Sequence, residues 1–172
     1  MGNNLSNYDI IRVTPTLDTS AYAGGDVAFT ATEIPNAVFG NGGCSKLVNA
    51  YIMDQDRDTY DLDLIFTQKN TAIGTINATA DISDANMEAI GLCGFCRFKS
   101  DVAFLGGIDQ VRIIRWSETV ADSERTSAGP IFLQAESDST SVYVSGLISS
   151  GTPTFAAADD IDLILHIEKR WV

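Results

Sequence analysis

Three cysteines and a single histidine are the residues of this chain best suited to metal or covalent chemistry. Cys93 and Cys96 form a CxxC, and Cys44 with His166 would complete a Cys3His zinc set, in which four side chains converge tetrahedrally on one ion. Only the CxxC is local, whereas a strong zinc signature carries two such pairs. The spacing therefore favours Cys93 as a small apolar residue beside Leu92 and Phe95, and no metal or cofactor is expected. A thioredoxin-type redox site would need a βαβ pattern around the CxxC, which the flanking residues lack. An odd cysteine count suggests no disulfide framework, and thiols in a cytosol stay reduced.

Asp54, Asp56 and Asp58 form a DxDxD spacing that could converge on a hard cation. An EF-hand loop starting at Asp54 would need glycine where Thr59 stands and a bidentate glutamate where Ile65 stands, and both requirements fail. The favoured reading is a solvated hairpin tip whose mutual repulsion discourages edge-to-edge pairing, with another kind of calcium loop as the alternative. Nucleophile and base constellations need a histidine or cysteine with an orienting acid. This chain offers one histidine on a strand face and no GxSxG, P-loop or HExxH. A pair of carboxylates for glycoside hydrolysis is the one enzyme arrangement that 23 acids leave open. The expectation is a protein that is not an enzyme.

Shorter motifs add little. Gly2 and Ser6 match an N-myristoylation pattern, against the plainer reading of residues 1–8 as a flexible tail. Asn4-Leu5-Ser6 and Asn77-Ala78-Thr79 are glycosylation sequons, which matter only on a secretory route. The first ten residues lack the basic and apolar regions of a signal peptide, and no apolar run approaches a membrane span, so a soluble cytosolic product is expected.

Strands must position these residues. In Asp54–Gln68 an acidic stretch gives way to strict alternation, with Tyr60, Leu62, Leu64 and Phe66 on one side and Asp61 and Asp63 on the other. Asp160–Glu168 repeats the pattern: Ile161, Leu163, Leu165 and Ile167 inward, Asp160, Asp162, His166 and Glu168 outward. Val27, Phe29 and Ala31 mark a half-buried strand, and Leu47–Met53, apolar on both parities, reads as a central strand covered on both faces. Asp54–Asp58 would be a hairpin tip between that strand and the next. Ser83 can cap one short helix that Gly91 ends, placed to plug an open edge or end of the sheets.

Residues 97–116 read as a hairpin around Gly106-Gly107, with Phe104 opposite Asp109 and Asp101 opposite Arg112. One face then carries Arg97, Lys99, Arg112 and Trp116, the only basic concentration in a chain of net charge −12. A solvated face is the plain reading, and a docking strip for an acidic partner is the functional one. Ser117–Gly129 forms a long polar loop. The excess acid repels nucleic acid and membrane headgroups.

Eight or nine short strands with almost no helix give a single all-β domain over residues 1–172, an antiparallel β-sandwich of jelly-roll type. A chain of this length buries roughly 70% of its unfolded surface, so it needs no disulfide or metal for stability.

Several phrases also resemble a known group. LDTSAYAGGDV, YDLDLIFTQKNTAIG with INATADISDA, and GPIFLQAESDSTSVYVSGLISSGTPTF before DIDLILHI are similar to small virion structural proteins of tailed bacteriophages, marine phages especially. The resemblance covers most of the chain in matching order. GLCGFCRFK and SETVADSERTSAG depart from the typical member. The resemblance implies a decoration or cement protein on the capsid surface of a virion assembled in the host cytoplasm. Its partner would be the major capsid protein, and homo-oligomers, trimers by analogy, would be usual. The alternatives are a head-fibre or tail component, or a carbohydrate-binding sandwich using Tyr22, Tyr143 or Trp116 as stacking platforms.

Overall fold

A computed structural model describes residues 7–56, 58–99, 103–104, 112–115 and 130–169. These residues form β1 (Tyr8–Val13), β2 (Val27–Ile34), β3 (Cys44–Asp54), β4 (Tyr60–Thr67), α1 (Asp84–Ala89), β5 (Leu92–Phe98), β6 (Ala103–Phe104), β7 (Arg112–Arg115), β8 (Ile131–Gln134), β9 (Val142–Gly151) and β10 (Ile161–Lys169). One antiparallel sheet runs β1-β10-β3, and the far edge of β3 is shared. Cys44–Leu47 pairs with β8, and Tyr51–Asp54 pairs with β7, which carries β6. The other sheet runs β2-β9-β4-β5.

Pairs β1/β10, β2/β9, β3/β8 and β4/β5 nest inside one another, as in a long hairpin rolled up on itself. The contacts β10/β3 and β9/β4 close the roll. This is a jelly roll, with β6 and β7 inserted between its fifth and sixth strands.

Alternation in the sequence becomes the core directly. Tyr60, Leu62, Leu64 and Phe66 of β4 are buried, as are Ile161, Leu163, Leu165 and Ile167 of β10, so the two inner faces meet in one cluster. Burial of each such side chain stabilises the fold by roughly 1.5–3 kcal/mol before entropy is counted. At one end of the sandwich Phe155 packs edge-on against both Tyr22 and Tyr60, with ring centroids 5.6 Å apart in each pair.

Four expectations need correction. Asp54–Asp58 is not a hairpin tip, because β3 and β4 lie in different sheets. β3 already has a partner along each edge, so the chain must cross to the other sheet. Nor is β3 covered on both faces. The register steps from Asn49 opposite His166 to Leu47 opposite Ile167, and this bulge at Val48 brings Leu47 onto the same inner face as Ala50 and Ile52. Val48 is exposed instead.

The hairpin expected over 97–116 is divided. Arg97 and Phe98 belong to β5 of one sheet while β6 and β7 belong to the other, and Phe104 lies opposite Ile113 rather than Asp109. Pairing of Ile113 and Ile114 with Met53 and Ile52 of β3 outweighs the turn preference. Gly106, Gly107, Asp101, Trp116 and the 117–129 segment lie outside the described residues.

The helix starts as its sequence suggests, with Ser83 Oγ accepting from Asn86 N at 3.3 Å and Gly91 following at φ +67°. It does not plug an edge or an end. Ile90 joins Val27 and Ile73 in a small second cluster with Ile65 and Leu147, which covers part of the outer face of the β2-β9-β4-β5 sheet.

Candidate functional site

The zinc set does not assemble. Cys96 points into the core from β5, and burial pushes its thiol far up. Cys93 is half-buried, with its Sγ 3.7 Å from Gly91 O and 3.8 Å from Gln134 O, and burial raises its thiol as well. Cys44 is exposed on β3, and His166 lies on the outer face of β10 with its ring 5.4 Å from that of Tyr51. One thiol thus faces the core while the histidine lies outside it. Among the described residues no three His, Cys, Asp or Glu side chains are grouped to hold a metal.

The acidic crossover is occupied by its own backbone. Asp58 Oδ2 accepts from Thr154 N at 2.6 Å, Asp56 Oδ2 from Ala156 N, and Asp160 Oδ2 from Ala157 N. Asp54, fully buried, accepts from Asp56 N at 2.9 Å, and Gln55 N donates to Asp160 O at 3.0 Å. These carboxylates pin the segment before β10 to the link between β3 and β4. Burial holds the Asp160 carboxyl above the ordinary range, helped by its hydrogen-bonded neighbour Asp56, against the pull of the Ala157 amide.

Asp162, expected on a wetted face, is buried instead. Arg12 and Thr14 reach it from β1 and the residue just beyond, Thr14 Oγ1 donating at 2.5 Å, and the Arg12 hydrogen bond leads in lowering its carboxyl. A partner about 150 positions away leaves no local signal in the sequence.

The basic strip is only partly described. Arg97 Nε and Nη2 fork onto Asp63 at 2.6 and 2.7 Å across β4 and β5, and Lys99 stands half-buried just beyond β5. Arg112 begins β7 in the opposite sheet, and Trp116 lies outside the described residues. Beside Arg97, the β5 side chains Leu92 and Phe95 are exposed. Tyr22 is no stacking platform: it is 2% exposed, with its hydroxyl donating to Ala28 O and accepting from Asp18 N. Tyr143 is half-buried.

Sequence reasoning missed the outer face of the β1-β10-β3-β8 sheet. Tyr8, Ile10, Val48 and Phe132 are all exposed there, Ile10 by 68% and Phe132 by 70%. Cross-strand register sets Tyr8, Glu168, Lys46 and Phe132 in one row. The apolar type of Ile10 and Phe132 on outward parities was the available signal. No known protein family and no curated protein matches this chain.

Proposed function

We propose that this protein is a structural component of a tailed-phage virion, a decoration protein that stabilises the capsid by bridging neighbouring capsid subunits. The observation that carries this reading is where the large apolar side chains sit. The jelly roll keeps a closed core, yet presents Leu92 and Phe95 on one sheet and Ile10 and Phe132 on the other to solvent. Exposed apolar side chains on packed strands suit binding to a protein surface. The resemblance of its phrases to small phage virion proteins is what suggests a capsid as that surface. A domain bridging two subunits adds interface that must break before the shell ruptures.

We assign docking to the outer side of β5, where exposed Phe95 supplies apolar contact beside Arg97 and Lys99; Arg112, in the opposite sheet, does not share this strip. The test is copy number in purified virions: a decoration protein is present in copies on the order of hundreds, in keeping with a symmetric shell. A handful of copies would indicate a fibre or tail part, and absence would remove the virion reading. Glycan binding, the competing module reading, loses one of its three platforms in Tyr22.

A further inference from the structure

We propose that the outer face of the β1-β10-β3-β8 sheet is where two copies of this chain meet, face to face. The first observation is the company of exposed apolar residues there: Tyr8 and Ile10 on β1, Val48 at the β3 bulge, and Phe132 on β8. They share one outward face: the register partners of Tyr8, Ile10 and Phe132 point away from the core and Val48 is exposed at its bulge, while Leu47, Leu133, Leu165 and Ile167 point into the core. A pleated face of this kind can pack on another at the spacing of stacked sheets.

The second observation selects the occupant. The chain carries net charge −12, so two copies repel wherever their acidic surfaces approach. On this face the described charged side chains are two bases and two acids, and each base is tied to an acid: Arg12 to Asp162, and Lys46 to Glu168 at 3.8 Å. The described part of this face is therefore neutral within an acidic molecule. A basic partner would gain nothing from docking here, whereas another copy avoids the repulsion it meets elsewhere. Self-complementarity follows from the row Tyr8, Glu168, Lys46, Phe132, whose apolar ends flank a central ion pair. Turned about a twofold axis, the pair of one copy can lie against that of the other, acid to base.

This inference does not rest on the virion reading. It is tested by sedimentation of the full-length chain over a concentration series at low and high salt. The expected result is reversible dimerisation that strengthens with salt, as screening removes the residual repulsion. Ile10→Asp and Phe132→Asp should each weaken the dimer about tenfold or more, while Phe95→Asp, on the opposite sheet, leaves it unchanged. Lys46→Glu should weaken it at low salt and recover at high salt. All four positions are partly or largely solvent-exposed, and unchanged circular dichroism and melting would show that the variants fold. A chain that stays monomeric throughout the series overturns the proposal. So does a dimer that Phe95→Asp breaks while Ile10→Asp and Phe132→Asp leave it intact.

Discussion

Asp160 and Asp162 stand two residues apart near the start of β10 and respond to pH in opposite directions. Arg12 and Thr14 hold Asp162 below its ordinary value of 3.8, so its contribution to stability is present above that pH and is lost as pH falls through the folded value. Asp160 is held above 3.8, chiefly by burial, so its ionisation at neutral pH works against folding. Its favourable contribution exists below 3.8 and disappears as pH rises through the folded value. Asp160→Asn should therefore raise stability at pH 7 and leave it unchanged near pH 3. Asp162→Ala should cost about 1–3 kcal/mol at pH 7, because Thr14 and Arg12 lose a buried acceptor, with the cost shrinking in acid. Urea denaturation of both variants at the two pH values measures this, and parallel pH profiles would refute the assignment.

Individual elements differ in how well the chain announces them. β4 and β10 were legible because a period of two needs only neighbouring residues, and Leu64 sits in the core as that period requires. Leu64→Asp should abolish the folded state, since an unpaired carboxylate in that position costs more than a domain of this size can absorb. Circular dichroism checks it.

Where an element's fate depends on a distant partner, local pattern gave out. The one-residue bulge at Val48 reverses the parity of β3, and the sheet change between β3 and β4 follows from edges that β10, β7 and β8 occupy. The acidic stretch between β3 and β4 shows the same limit. The DxDxD spacing was visible, but not that the amides of Thr154 and Ala156 would occupy the Asp58 and Asp56 carboxylates. A glycine in β9 shows how closely neighbouring strands of one sheet are fitted: a Cβ at Gly146 would lie 2.3 Å from Cε1 of its register partner Phe29 on β2. Gly146→Ala should thus destabilise by about 1–3 kcal/mol, read as a lowered denaturation midpoint with unchanged slope.

For the whole molecule, the charge of −12 is the dominant long-range influence. Self-repulsion opposes the compact state, so raising salt from low to physiological levels should raise the melting temperature, by on the order of 2–4 °C for each kcal/mol of relief. The exposed ion pairs weaken under the same change but contribute little at any salt. A fall in melting temperature with salt would show that specific pairs outweigh the net field. On a capsid, the same repulsion would space neighbouring copies except where neutral faces meet.

The nesting of β1 with β10 also governs how the domain comes into being. β10 lies between β1 and β3, so the first described strand has no neighbour in its sheet until the last has been made. Of the nested pairs, β4 and β5 are joined by the shortest stretch of chain, with α1 between them, and every other nested pair closes around that centre. Such non-local pairing places refolding in the range of about milliseconds to seconds and leaves β1 waiting with its apolar residues uncovered. Synthesis on the ribosome can thus complete neither β1's pairing nor its sheet until β10 has emerged, which makes the final strand the closing step of folding.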